Sequence, residues 1–346
     1  MAVALQPESD ALIRDTAFIP PEDSALGRLW RRFRRHKLGI TGLLVFSLVL
    51  LAVIMVPILS PFGYADQNVL QAFAPAGTMS VEAGIAVEAG HVYWLGTDAY
   101  GRDVLTRLFF GGRITLSVAL LAALLSVLIG TVMGAVAGSM DGPVDAVIMR
   151  CTDLLLAFPL LPTFVLLSRI FPIGAEYTGM GASGPEDWFM TIDQALRAAI
   201  GYSLIFMLLG WMPVSRQVRA SMLSLRSLGY VEAARALGAG PWRIATRHLL
   251  PNSIGPVLIA AVLMVSEFIL FESLLSYLGM GVGTPVPSWG NLIRDAQSQI
   301  WFITSTLNPA EDIRGFLVLL PGMLIFITIL SLNFIAEGLR DILAPH

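Results

Sequence analysis

Six long apolar stretches dominate the pattern of hydrophobic and polar positions along the chain. A helix that crosses the hydrocarbon core of a bilayer needs about 20 mostly apolar residues. Leu38–Leu59 and Ile114–Gly138 reach this length without a single charged residue. Four further stretches qualify with a few polar interruptions: Ala146–Phe171, Ala198–Val214, Ile254–Leu278 and Gly315–Ala336. The pattern therefore predicts an all-α membrane protein with six transmembrane helices.

The composition agrees with a membrane location. The chain has 346 residues, of which 55% are hydrophobic and 14% charged. A soluble domain of this length carries about a quarter charged residues. The excess of apolar side chains must therefore face something other than a core wrapped in water. Cys151 is the only cysteine, so no disulfide can form within the chain.

Arginine placement predicts the orientation in the membrane. Basic residues are concentrated before the first apolar stretch and between the fourth and fifth: Arg28, Arg31, Arg32, Arg34, Arg35 and Lys37, then Arg216, Arg219, Arg226, Arg235, Arg243 and Arg247. Arginines on the other side are spread over three loops and mixed with acids. Because loops rich in Lys and Arg stay in the cytoplasm, we expect both termini and the 215–253 loop there.

These boundaries divide the chain into five parts. We expect a cytoplasmic tail at 1–37, a first transmembrane helix at 38–59, an extracytoplasmic segment with an interfacial helix at 60–113, a core of five transmembrane helices at 114–336, and a cytoplasmic tail at 337–346. Asp103 and Arg107 are four residues apart, which predicts a salt bridge on the interfacial helix. The segment 172–194 is rich in glycine and acids and predicts a loop.

One polar stretch of the cytoplasmic loop, YVEAARALGAGPWRIATRHLLPN at 230–252, predicts two short helices that meet at a bend. Glu232, Ala233 and Ala234 belong to the first helix, in which small residues form a smooth face. Gly238 is placed to end that helix in a left-handed conformation, and Pro241 suits the first turn of the second, which we expect to reach Pro251. Glu232 lies in the first turn, where it complements the helix dipole.

The residues of this stretch leave two interpretations open. A basic amphipathic helix can lie in a groove of a partner protein or rest on anionic lipid. Both interpretations need the same pattern of residues, so the pattern alone does not choose between them.

Four segments resemble permeases of one transporter family. The stretch E-A-A-x-x-x-G followed by L-P resembles the EAA loop of ABC-importer permeases, with His248 where that family has isoleucine. LGTDAYGRDVLTRLFFGGRITL (95–116), FESLLSYLGMGVGTPVPSWGNLI (271–293) and the tail NFIAEGLRDILAPH are similar to segments of the peptide type. The tail departs from that pattern at four positions, Ala336, Glu337, Ala344 and His346.

The resemblance implies a DppC/OppC-like permease of dipeptide, oligopeptide or nickel importers, with the type I ABC importer permease fold. Such a subunit works with a second, homologous permease, two cytoplasmic ATPases and an extracytoplasmic binding protein, and involves no nucleic acid. Its EAA loop forms the helices that dock on an ATPase, which implies this role for Glu232, Ala233, Ala234, Gly238, Pro241 and Pro251. Lys37 is the only lysine and no P-loop motif is present. ATP and Mg²⁺ are therefore expected on the partner ATPases, with no cofactor in this chain.

Several residues inside the spans have candidate roles. Gly130, Gly134 and Gly138 form a small-residue ridge that favours close helix packing, within this subunit or against its partner. Pro159 and Pro162 should kink the third helix, which could then line a pathway or only pack unevenly. Arg150 and Asp153 are three residues apart and should neutralise each other.

A proton-coupled secondary transporter is the best alternative, because Asp153, Glu267 and Glu272 are acids within predicted spans. Glu267 should lie roughly 20 Å into a core of about 30 Å. At that depth a carboxylate needs water or a partner, so we expect it to face the interior of the bundle. It is either a structural acid, protonated or paired with the other permease, or part of the translocation pathway.

Overall fold

The computed structural model describes Gly27 and residues 31–82, 87–140, 142–171, 187–300 and 313–343. Within these ranges ten α-helices have described bounds. They are α1 (Lys37–Leu59), α2 (Val104–Ser139), α3 (Pro143–Leu156), α4 (Leu160–Ile170), α5 (Asp187–Leu225), α6 (Gly229–Ala236), α7 (Pro241–Ile244), α8 (Leu250–Tyr277), α9 (Trp289–Ile300) and α10 (Ile313–Leu343). Two short antiparallel strands, β1 (Thr78–Met79) and β2 (Val92–Tyr93), lie between α1 and α2. Most of the expected N-terminal tail and much of the expected 172–194 loop fall outside the described residues.

The helices match the six predicted spans, with one of them broken. In the part of the chain that the structure describes, five helical stretches are long and apolar enough to cross a membrane, and the pair α3 and α4 makes a sixth if it counts as one span. That pair bends by 85° between Leu156 and Leu160. Many of their apolar side chains are exposed, as are those of α1, which is expected for surfaces that face lipid or another subunit.

The two prolines of the third span act differently. Pro159 lies at the bend, where it precedes the first residue of α4. Pro162 lies within the first turn of α4, where backbone N–H groups have no partner inside the helix, so its missing N–H removes no helical hydrogen bond. The expected kink is therefore confirmed as a break at Pro159, and Pro162 does not add a second one.

The second span begins earlier than predicted. α2 runs without interruption from Val104 to Ser139, so the interfacial helix expected before residue 114 is instead the start of α2. Asp103 caps this helix, because its carboxylate accepts a 2.8 Å hydrogen bond from the Thr106 N–H. Hydropathy alone placed the boundary too late, since it cannot show that the polar turn 103–107 has the same helix axis as the apolar residues after it.

The glycine ridge of α2 packs against α5 of the same subunit. A Cβ atom at Gly130 would lie 2.5 Å from the carbonyl oxygen of Trp211, and one at Gly134 would lie 2.5 Å from that of Ser215. Gly138 is less tightly packed, with its nearest contact 3.0 Å away at Met222 Cβ. Only glycine therefore allows the two backbones to approach so closely at the first two positions.

Helices α1 and α10 also meet through glycines. α1 packs against α10, where a Cβ at Gly42 would lie 2.5 Å from the carbonyl oxygen of Ser331. Close by, the Nδ1 atom of His36 accepts a hydrogen bond from the Gly39 N–H, and its Nε2 atom lies 2.8 Å from Asp341. The first and last helices therefore form one side of the bundle.

Candidate functional site

The segment from Gly229 to Leu249, here called the coupling tip, forms the bend that the sequence predicts. α6 ends in a Schellman motif, in which the Ala239 N–H donates to the Ala234 carbonyl and the Gly238 N–H donates to the Arg235 carbonyl, both at 3.0 Å. Gly238 has a φ of 83°, as the sequence predicts for a glycine that ends a helix. The direction of the chain between α6 and α7 is therefore fixed by backbone hydrogen bonds.

The second helix of the tip does not end at Pro251, as the sequence suggested. α7 passes through a π-helical turn, Ala245–Leu249, directly into α8, so Pro241–Tyr277 is a continuous helix of 37 residues. At this turn the Leu250 N–H bonds to the Ala245 carbonyl, five residues back. Pro251 has no backbone N–H to donate. This favours a local rearrangement of the helical hydrogen bonds rather than an end of the helix. The tip is thus one end of a transmembrane helix.

The tip is anchored by a few buried side chains and exposes apolar ones. Val231 and Ile244 are buried against the rest of the subunit. Leu237 at the bend is 90% exposed and Trp242 is 63% exposed. Exposed large apolar residues on a polar loop are typical of a surface that another protein covers.

Glu232 and the alanines share this exposed surface. Ala233 is exposed beside Glu232, while Ala234 is partly covered. Glu232 forms no ion pair with any residue in the described ranges. Its carboxylate is therefore available to a partner rather than committed to an arginine of the same loop.

Ion pairs hold α5 to α3 next to the tip. Arg219 makes two hydrogen bonds of 2.5 Å to the carboxylate of Asp145. Arg216 pairs with Asp153, so the expected pairing of Asp153 with Arg150 is wrong. The sequence rule considers only neighbours on one helix, whereas the packed neighbour of Asp153 comes from α5.

The two glutamates of α8 have opposite environments. Glu272 is 2% exposed and accepts hydrogen bonds of 2.7 Å from the hydroxyls of Thr115 and Ser276. Glu267 is exposed at the surface of the subunit. Phe268 and Ile269 take the inward positions of that turn, so Glu267 points out of this bundle. The expectation of an interior position is therefore wrong within the single subunit.

A charged cluster that sequence reasoning missed lies at the opposite end of the bundle from the tip. Arg107 is buried, with its Nε atom 3.4 Å from Asp98 and its Nη2 atom 3.9 Å from Asp295 of α9. Arg102 bonds to the same Asp98 at 2.7 Å. Arg107 also donates to the carbonyl of Tyr64 at 2.9 Å. The expected Asp103–Arg107 pair is absent from these described contacts, because Asp103 caps α2 instead.

This cluster joins two of the segments that carry the family resemblance. Asp98, Arg102 and Arg107 belong to the 95–116 segment, and Asp295 follows the 271–293 segment by two residues. Trp289 lies in the second segment and donates its indole N–H to the Leu108 carbonyl at 3.0 Å. The recurrence of arginine and aspartate in the first segment was the available signal, but its partner on α9 could not be read from spacing.

Comparison with known proteins gives the family of the chain. Residues 126–346 match the model of the binding-protein-dependent transport system inner membrane component. Residues 24–76 match the N-terminal TM domain of oligopeptide transport permease C. The chain therefore belongs to the family of binding-protein-dependent inner membrane components and has the type I ABC importer permease fold, as the resemblance implied.

Relatives of known name match nearly the whole chain. The oligopeptide transport system permease protein OppC of Escherichia coli K12 is 36% identical over 319 residues, 91% of this chain and 89% of that protein. OppC of Bacillus subtilis is 32% identical over 321 residues, 92% of this chain and 90% of that protein. The dipeptide transport system permease protein DppC of Alkalihalophilus pseudofirmus is 30% identical over 332 residues, 94% of this chain and 93% of that protein. The chain is thus an OppC/DppC-like permease subunit of an ABC importer.

Proposed function

We propose that this subunit forms half of the translocation pathway of a peptide importer. The named relatives transport oligopeptides or dipeptides, and their similarity covers the helices as well as the tip. In this proposal a second, homologous permease supplies the other half, two cytoplasmic ATPases bind and hydrolyse Mg·ATP, and an extracytoplasmic protein delivers the peptide. The tip and both termini lie in the cytoplasm of a bacterium, and the bundle crosses its inner membrane.

The observation that carries the coupling proposal is the continuity of the coupling tip with α8. In the proposed mechanism, α6 and α7 lie in a groove of the ATPase, with Leu237 and Trp242 as apolar anchors. When ATP brings the two ATPases together, the coupling tip moves with the ATPase on which it is docked. The helix Pro241–Tyr277 then transmits this movement across the membrane. The pathway then opens outward to receive the peptide, and release of ADP reverses the change.

Purification and transport test the proposed function. A tagged subunit should co-purify with an ATPase, and vesicles that contain the assembled complex should take up peptide only with ATP and the binding protein present. Peptide uptake by an ATPase-free preparation on a proton gradient would contradict the proposal, because it would identify a secondary transporter.

We propose that the side chain of Glu267 acts between the two permease subunits rather than inside its own helix bundle. It is exposed on the single subunit, and an exposed carboxylate within a span requires water or a neighbouring subunit. In the pathway between the two permeases it would attract a cationic group such as a peptide amino terminus. At the permease interface it would serve as a structural acid.

Glu267→Gln distinguishes these two positions, because it keeps the volume and removes the charge. If Glu267 lines the pathway, uptake of cationic peptides should fall about threefold to tenfold relative to neutral ones, as expected for loss of one partly screened charge interaction. The assembled complex should form in normal amounts. An equal drop for all peptides, or loss of the complex, would favour the structural acid.

A further inference from the structure

A polar cavity lies at the end of the bundle farthest from the coupling tip. It has a volume of about 290 Å³ and lies between Ser168 and Arg169 of α4, Tyr202 of α5, the loop 279–284 and Arg294 of α9. The 37-residue helix Pro241–Tyr277 separates this cavity from the tip by roughly 55 Å, at 1.5 Å per residue. Arg294 of the cavity lining lies 3.5 Å from Asp295, which connects the cavity to the buried Asp98–Arg107 cluster. The cavity has no part in the coupling proposed above.

The charge of the cavity lining is positive. Arg169 and Arg294 both line it, and none of the lining residues that the structure describes is an acid. Arg169 is exposed and forms no ion pair within the described residues. Arg294 lies 3.5 Å from Asp295, but that aspartate also faces Arg102 and Arg107 at 3.9 Å. Among the described residues, Asp295 and Asp98 together face three arginines, and Arg169 adds a fourth positive charge, so the described charges around the cavity sum to a positive value.

The loop 279–284 is shaped to admit an anion beside these arginines. The hydroxyl of Tyr202 lies 2.9 Å from the Met280 carbonyl oxygen and 2.7 Å from that of Gly281. This hydroxyl has one hydrogen to donate, so it bonds to one of these two carbonyl oxygens at a time and reduces the repulsion that the oxygen would exert on a negative charge. Gly279 has a φ of 78°, and a Cβ there would lie 2.9 Å from Arg294 Nη1. The glycine therefore lets the guanidinium lie directly against the loop.

We propose that this cavity binds the carboxylate of the transported peptide at the outer face of the permease, through Arg169 and Arg294. Arginine is suited to this role, since its planar guanidinium matches a carboxylate with two parallel hydrogen bonds. With a volume of about 290 Å³ the cavity has room for the end of a peptide only, so it would recognise the terminus that every peptide shares rather than a particular sequence. The proposal rests on the proposed function in peptide import.

Uptake of paired peptides tests the site in the assembled importer. Each variant is given one peptide as the free acid and as the carboxy-terminal amide, both at concentrations that saturate the binding protein. Arg169→Gln and Arg294→Gln should each lower uptake of the free acid about threefold to tenfold, the effect of one partly exposed charged hydrogen bond. Uptake of the amide should stay near its own wild-type rate. Arg150→Gln is the matched control, because it removes an exposed arginine from α3 at the other end of the bent span.

Three results would overturn the proposal. They are unchanged uptake of the free acid, an equal drop for acid and amide, and an effect that appears only in vesicles containing phosphatidylglycerol. The last result would assign the cavity to a lipid phosphate. If the wild-type complex imports neither peptide, the proposed function fails instead.

Thiol labelling tests the cavity without transport. In a Cys151→Ser chain, Thr284→Cys places a single cysteine in the cavity lining. The measured quantity is the labelling rate with an anionic thiosulfonate reagent divided by the rate with a cationic one. This ratio should be at least about threefold higher for the cavity cysteine than for a small thiol in solution. Arg169→Gln should reduce this preference, and the free-acid peptide should slow labelling more than the amide does. Equal behaviour of both reagents, or of both peptides, would contradict a carboxylate site.

Discussion

Gly238→Val is expected to leave the subunit in the membrane while peptide uptake and substrate-stimulated ATP hydrolysis fall together. Gly238 has a φ of 83°, a conformation that costs a β-branched residue about 1–2 kcal/mol. Relief of this strain changes the angle between α6 and α7. A free-energy change of about 1–2 kcal/mol corresponds to about a fivefold to thirtyfold change in the population of the geometry that docks on the ATPase. Uptake and ATP hydrolysis in vesicles measure both effects.

The coupling tip provides its own controls. No heavy atom lies within 4 Å of a Cβ placed at Gly238 or at Gly240, so a Cβ causes no steric clash at either position. Gly240 has a φ of −67° and a ψ of 159° and precedes Pro241, a backbone that valine adopts readily. Gly240→Val should therefore keep near-normal transport, and Gly238→Asn should retain more than Gly238→Val because asparagine tolerates the left-handed region.

Normal transport by Gly238→Val at wild-type assembly would contradict the coupling role of the bend. Equal losses for Gly238→Val and Gly240→Val would indicate that bulk at the tip matters and the angle does not. Loss of the subunit from the membrane would instead give Gly238 a role in folding.

The features that could be predicted from the sequence are those determined by residues close together along the chain. The length of an apolar run is a property of consecutive residues, so six spans could be predicted. The helix-ending glycine at 238 follows from the same reasoning, since a helix ends within a few residues of its signal. The end predicted at Pro251 was wrong for a related reason. Proline removes one hydrogen bond but allows a helix to continue when a neighbouring N–H shifts its partner.

Features that depend on packing between distant segments could not be predicted from the sequence. Asp153 and Arg107 each have a plausible partner on the same helix, yet Asp153 pairs with Arg216 of α5 and Arg107 with Asp98 and Asp295. Glu267 was expected inside because of its depth in the span. Depth is set by residue count, whereas the direction of a side chain depends on which face of α8 meets its neighbours.

The buried cluster around Arg107 makes the strongest prediction for stability. Arg107→Gln should lower the thermal stability of the purified importer complex and the amount that assembles. Removal of one partner from a buried ion pair typically costs about 3–5 kcal/mol, since the remaining charge stays buried without compensation. Here the substitution would leave Asp98 and Asp295 with less positive charge and the Tyr64 carbonyl without its donor. Thermal unfolding of the solubilised complex measures the effect.

Arg113→Gln is the matched control on the same helix. Arg113 is partly exposed and donates to the carbonyls of Val53 and Ile54 rather than to an acid. Its loss should cost about 1.5–3 kcal/mol, the value for hydrogen bonds that involve a charged group, and less than the loss of Arg107, because no acid is left buried without its partner. If Arg113→Gln and Arg107→Gln destabilise the complex equally, burial of charge is not the reason for the effect.

A double-mutant cycle separates charge from shape at this site. Asp295→Asn removes one of the two acids that face Arg107. If charge balance stabilises the cluster, Arg107→Gln should cost less in the Asp295→Asn background than in the wild type, because fewer unpaired charges remain buried. Coupling between residues in one ion-pair network is typically about 0.5–3 kcal/mol. Additive losses would mean that Arg107 acts through Asp98 and through its hydrogen bonds to the carbonyls of Tyr64 and Pro285, and that its charge interaction with Asp295 contributes little.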